Sequence, residues 1–562
     1  EPPAGVFNYI LKRPPDHTMA RISERYRSES VFSTAVDVGG RAGPGHRLGY
    51  RLNAVQGGGT DYVGYSADTR TLLSGALDYH FNDHAVLQTN FIHYRTRITG
   101  LPGSIVYDGT GTGSTELPKA IDPTTPGLGQ PGAGTNLITT TGLAKFKYDF
   151  DNGWKFQVGG LYEVANRHLM GITNKFINNQ GDYEVTKNFN AVRRYYIFSN
   201  LAQLNGHVQW LGTENDVTLA TNGFWMSGHN FNNPIGVSLG NGNLSHPTVL
   251  PRQPTPAGGG LHKSFSLQVQ SLILGDTMHF NDQWAVQAVL SASFLQTRSY
   301  DKSGHVTKSN VVNHEVSPTF NIIYTPTPKW TAYVSWSHSI QAGPAAPTGT
   351  ANASEFLSPY RDRQVEIGLK YAPWSRLLLT LAAFRMTQPL AEADPGSNVF
   401  MVVGTQRNYG AEFFAQGELT PALSIFGGST YIAARLRGSL IPGTNGRLIV
   451  GIPSVKSDIS LDYHPAFLRG VALLGTFHFE DRRAATTTNN SFAPAYSTLD
   501  LGARYTTPIF GYPVTVRGGV TNVTDTHYYS AIATGNIVGS AGANTAYYGR
   551  PRTFLVSVEL DL

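Results

Sequence analysis

Apolar and polar residues alternate with a period of two along nearly the whole chain, the repeat of a strand whose two faces meet different surroundings. The final segment states it most plainly. Phe554, Val556, Val558, Leu560 and Leu562 fall on one face, and Thr553, Ser557, Glu559 and Asp561 on the other, with Leu555 the exception. Val365, Ile367, Leu369 and Tyr371 likewise oppose Glu366, Gly368 and Lys370, and Val455, Ile459, Leu461 and Tyr463 oppose Lys456, Asp458, Ser460 and Asp462. Charges recur on the polar face. The interior of a soluble sandwich would not accept them, but a water-filled or plugged lumen would.

The connections alternate in length. Short turns are read at Phe81–His84, Asp151–Gly153, Asn281–Gln283, Pro373–Arg376 and Pro508–Pro513, and long Gly/Pro/Asn/Thr-rich loops lie between them, among them Thr99–Thr139 and Ser227–Leu261. Short turns on one side and long loops on the other predict an all-β fold, a transmembrane antiparallel β-barrel with its long loops outside the cell and its short turns in the periplasm. Segment counting gives about 22 strands, the first near Ala20–Arg27 and the last within Tyr548–Leu562. A barrel of that size has a lumen wide enough to need a plug.

Composition agrees. Only 14% of the 562 residues are charged, with 61 Gly, 28 Tyr, 28 Phe and no Cys. An average soluble domain carries about 25% charged residues. No apolar run is long enough for a transmembrane helix, so a membrane role requires a closed barrel. The net charge of +5 is small and the basic residues are scattered, which excludes a nucleic-acid footprint. No charged-then-apolar signal region opens the chain at Glu1-Pro2-Pro3.

Several stretches resemble the TonB-dependent receptors, and within them the siderophore-receptor branch. Phe7-Asn8-Tyr9-Ile10-Leu11-Lys12-Arg13-Pro14 resembles the point where that family's plug domain passes into its barrel. Val36-Asp37-Val38-Gly39-Gly40, Gly49-Tyr50-Arg51-Leu52-Asn53, Arg363-Gln364-Val365-Glu366-Ile367-Gly368-Leu369-Lys370-Tyr371 and Tyr409-Gly410-Ala411-Glu412 resemble its strands. Gly519-Val520-Thr521-Asn522-Val523-Thr524-Asp525, followed by Tyr548-Gly549-Arg550-Pro551-Arg552-Thr553, resembles its closing hairpin most specifically.

The resemblance implies outer-membrane, TonB-dependent uptake of a ferric siderophore in a Gram-negative bacterium, by a monomer embedded in outer-membrane lipid. It implies a plug, and an N-terminal box through which the TonB-ExbB-ExbD complex acts. Residues 1–14 are expected to be the end of a plug and residues 15–562 the barrel, with that box absent from this chain. Three departures are visible. Leu562 stands where the family commonly ends in Phe, Tyr360-Arg361 where a Pro-Glu pair is common, and Ile340-Gln341-Ala342-Gly343-Pro344 where haem receptors carry Phe-Arg-Ala-Pro. The last of these favours a siderophore over haem. A plugless passive pore, a non-functional remnant, and a surface adhesin or phage-binding barrel remain as alternatives.

Chemistry-bearing residues are weighed against plainer roles. The 17 His match no zinc spacing, and His229, His246, His262 and His338 read as solvated loop or lumen residues. His93, His207 and His478 in polar strands form no recognisable catalytic set, so no enzyme, metal site or cofactor is expected. Near the outer ends, alternation puts Trp225, Trp336 and Tyr431 on the lipid face, as an interfacial girdle. Phe224 and Tyr333 face inward, and Tyr528 and Tyr529 begin a loop. These four could pack on a siderophore or equally on a plug. Arg385 and Arg407 flank a loop and could draw in an anionic ferric complex, or serve as solvated stems.

Overall fold

The structure, a computed structural model, describes residues 8–109, 112–188, 191–210, 212–233, 235–252, 259–347, 349–353, 355–534 and 543–562. Residues 1–7 of the expected plug end, Phe7 of its motif included, lie outside the described residues.

Twenty-two antiparallel strands form one sheet. The first, Met19–Arg27, pairs both with Val31–Ala42 and with the last, Thr553–Asp561, so the sheet closes on itself. Closure leaves no unpaired edge, the condition for crossing lipid with strands. The sequence count of about 22 agrees. The expected boundaries shift slightly: Tyr548 lies in a separate loop strand, Asn544–Tyr548, and the loop expected at Thr99–Thr139 is bounded by strands ending at Thr99 and starting at Gly134. Among the described residues the helical content is one 3-10 turn, Pro44–His46.

The alternation read from the sequence is the inside–outside alternation of the wall. Phe554, Val556, Val558, Val365 and Ile367 are exposed outward, where lipid covers them. On the inner face of the closing strand, Glu559 meets Arg517 and Arg21, joining the strands on either side of it.

Residues 11–15 run along the inner wall. Lys12 Nζ lies 2.8 Å from Asp37, which also holds Arg51 at 2.7 Å, and Arg13 pairs with Asp78 and Asn90. Gly39 and Gly49 make room for this segment. A Cβ at Gly49 would lie 2.8 Å from Pro14 Cβ, and one at Gly39 2.9 Å from Pro15 Cδ.

Aromatic rings also lie flat on cross-strand glycines. Tyr333 covers Gly368, where a Cβ would come 2.2 Å from the ring, and Phe384 covers Gly410 at 2.3 Å. Gly368→Val would push Tyr333 off the wall and should cost about 1–3 kcal/mol, read as a lower urea midpoint of the folded barrel. Gly142→Ala, whose added Cβ meets nothing within 4 Å, is the control and should leave the midpoint unchanged.

Candidate functional site: the outer vestibule

The long loops do not hang free above the barrel. Four of them supply a six-stranded sheet in the order Gly236–Asn243, Asp182–Asn188, Ile172–Phe176, Ser104–Tyr107, Asn544–Tyr548, Tyr529–Ala533. Apolar residues of these strands and of neighbouring loops meet in one core that includes Ile105, Tyr107, Leu128, Phe176, Tyr183, Tyr529 and Tyr548. Several of its buried polar groups are matched within it. Tyr107 Oη donates to Ala485 O at 2.8 Å, Tyr529 Oη to Pro118 O at 3.0 Å, and Asn174 Nδ2 to Leu128 O at 2.9 Å. Burial holds the Tyr107 and Tyr529 phenols well above their usual range and pushes Tyr183 up to about 12, so this roof carries no phenolate charge near neutral pH.

Below the roof, one sector of inner wall gathers charge. Strands Val455–Tyr463, Val471–Glu480 and Tyr496–Ile509 are neighbours, and their register sets Asp458 beside His478 and His478 beside Thr498. His478 Nδ1 lies 2.6 Å from Asp458 Oδ1, and its Nε2 lies 3.5 Å from Asp500 Oδ2. Lys456 Nζ lies 3.4 Å from Glu480 Oε1. Tyr528 stacks on Tyr496 at 4.1 Å and lies over Gly549, and both rings line the same hollow with Arg550.

Arg483 joins this wall to the roof. Its guanidinium donates to Tyr529 O, lies 3.3 Å from Glu480 and covers the Tyr496 ring at 5.7 Å. The sector offers donors, carboxylates and a stacked aromatic pair to a polar ligand entering the lumen.

The six residues singled out from sequence fare differently. Phe224 lies in register with Ser199 and Val269 on the inner face. Tyr333 also faces inward, but flat on the wall, its hydroxyl donating to Glu366 at 2.7 Å. Tyr528 lines the charged hollow. These three occupy separate sectors and do not converge. Tyr529 is 2% exposed, inside the roof core, and presents no ring to a vestibule. Arg385 and Arg407 point away from the lumen. They share the face of Leu381, Tyr409 and Phe413, which are exposed on the outer wall. A ligand inside the barrel cannot reach them from there. The charged sector itself was missed. Parity marks Lys456 and Asp458 as inward, but only register shows which residues they meet.

A profile of the TonB dependent receptor-like β-barrel matches residues 77–523. The chain belongs to that family. As an outer-membrane receptor barrel it aligns over 99% of its length, at 24% identity, with 72% of the ferrichrome receptor FcuA of Yersinia enterocolitica. Among solved structures, the ferric preacinetobactin receptor BauA of Acinetobacter baumannii superposes with a TM-score of 0.84 at 21% identity, covering 98% of this chain and 81% of that one. The ferric-catecholate import receptor Fiu of E. coli K12 gives 0.78 at 16% identity, covering 98% and 82%. The receptor barrel thus keeps its fold among relatives that differ widely in sequence.

Proposed function

We propose that this receptor barrel takes up a ferric siderophore across the outer membrane in a TonB-dependent manner. The observation that carries the reading is the alignment of nearly the whole chain with a ferrichrome receptor, within a family of TonB-dependent receptors. The geometry is compatible with it. A roofed mouth can hold a ligand outside, and the polar wall of Lys456, His478, Glu480 and Asp500, with the Tyr496–Tyr528 pair, suits an oxygen-rich chelate. The role of TonB, through a segment pulled from the periplasm, is part of the same proposal, as is function as a monomer.

The test is a binding panel on the receptor carrying its plug: a ferric trihydroxamate, a ferric catecholate and a mixed-ligand ferric chelate, each followed by fluorescence quenching. One class should bind at least tenfold tighter than the others. Uptake of that ligand, as radioactive iron, should stop when TonB is deleted. Failure of every class to bind, or uptake indifferent to TonB, would defeat the proposal.

A further inference from the structure

Carboxylates compensate several of the arginines of this barrel. In the lumen, Arg21 pairs with Asp561, Arg51 with Asp37, Arg504 with Asp462 and Arg517 with Glu559, while Arg25 and Arg70 have no carboxylate within ion-pair distance among the described residues. On the outer wall, Arg363, Arg385, Arg407 and Arg435 are exposed. None of these four has a carboxylate within ion-pair distance among the described residues; the outward arginine that does, Arg361, is held by Glu315 at 2.6 Å.

The four stand on adjacent strands: Tyr360–Tyr371, Leu377–Ala393, Phe400–Thr420 and Leu423–Arg437. The register runs Arg363 to Thr387, Thr387 to Arg407, and Arg407 to Arg435, a row of three arginines across the wall, and Arg385 stands one step below it, in register with Val365 and Tyr409. Arg407 and Arg435 are therefore directly opposed, with Cβ atoms about 5 Å apart by strand geometry, an arrangement that repels unless an anion lies between. Arg435 is braced by Gly446 O at 2.9 Å, and Arg385 lies 5.6 Å from the Tyr409 ring centre. Both contacts leave the positive charge uncompensated.

The height of the row identifies what could compensate it. Immediately below it, on the same face, stand Trp336, Tyr409 and Tyr431, the aromatic belt that marks a membrane interface. Further down, Leu369, Leu381 and Phe413 lie opposite one another as an exposed apolar row. Cations above aromatics above apolar side chains match a lipid with anionic groups at the headgroup and acyl chains beneath. The row lies toward the loop ends of its strands, hence at the outer leaflet, whose characteristic anionic lipid is phosphorylated on its sugar headgroup. Planar guanidiniums match phosphate oxygens two at a time.

We propose that this outer wall docks a phosphorylated glycolipid of the outer leaflet, a lipid A headgroup, with Arg363, Arg385, Arg407 and Arg435 gripping its phosphates. The proposal depends on where the row sits and is independent of the transported ligand.

The test uses the folded receptor in detergent and native mass spectrometry. Three probes are compared: bis-phosphorylated lipid A, its dephosphorylated form with the same acyl chains, and inorganic phosphate. The wild type should hold the phosphorylated lipid at least tenfold tighter than the dephosphorylated one. R407Q/R435Q should erase that preference, and R407K/R435K should keep most of it. Folding of each variant is read from its heat-modifiable mobility on a gel. If R407Q/R435Q does not fold, R385Q, which leaves the directly opposed pair intact, should still reduce the preference about threefold. Equal binding of the two lipids by the wild type, or an undiminished preference in the folded glutamine variants, would overturn the proposal. Displacement of the lipid by equimolar inorganic phosphate would show that the site takes a free anion, and would overturn it as well.

Discussion

Arg483→Met is expected to loosen the extracellular roof by about 3–5 kcal/mol while the barrel beneath stays folded. The Arg483 side chain is only 3% exposed, and it holds groups from two layers. Glu480 belongs to the wall, as the last residue of its strand, and Tyr529 to the roof sheet. Removing the guanidinium leaves the Tyr529 carbonyl without that donor. Glu480 keeps Lys456 at 3.4 Å but loses the nearer of its two cations. The methionine fills part of the space, so the loss is mainly electrostatic. Limited proteolysis should cut the 522–552 loop of the variant at least tenfold faster, while the heat-modifiable band of the barrel persists. A roof as resistant as that of the wild type would show that its apolar core alone holds it.

Asp61→Asn should weaken the closure of the barrel itself, by about 3 kcal/mol. The Asp61 side chain is 1% exposed and receives Arg27 at 3.0 Å and Arg550 at 2.6 Å. Arg27 ends the first strand, and Arg550 lies just before the last. The carboxylate therefore clips together the seam where the two ends of the sheet meet. Asparagine keeps the shape but removes the charge between two guanidiniums, and of the two only Arg27 has a second carboxylate partner among the described residues, Asp68 at 2.7 Å. The urea midpoint of the barrel should fall clearly. Asp16→Asn, which touches only the exposed end of the Asp16–Arg41 pair, should shift it little, because a solvent-screened pair contributes little. Equal midpoints for the two variants would remove Asp61 from the seam.

Much of this was legible beforehand, for a local reason. Side chains alternate across a strand whatever the strand pairs with, so parity assigns inside and outside one residue at a time. That is why Tyr333 and Glu366 were rightly placed in the lumen and Trp336 on the lipid face. The misplacement of Arg385 and Arg407 came from treating them as loop stems. Both lie within strands that run on to Ala393 and begin at Phe400, and Arg407 shares its parity with Tyr409 and Phe413, which already marked it as outward.

What the sequence by itself determined is the barrel: an even set of about 22 strands, a wet inner face, a greasy outer face, and loops long on one side only. Each of these follows from patterns within about ten residues of chain. Only the tertiary structure decided which side chains meet. Register joins Asp458 to His478, and Arg407 to Arg435, across strands whose pairing no local pattern encodes. The roof is more remote still. Tyr107 reaches Ala485, and Asn544 reaches Asp108 at 2.9 Å, across most of the chain. Such contacts form only after closure of the sheet has brought the loops to one mouth, and it is there that Tyr529 becomes core rather than ligand surface.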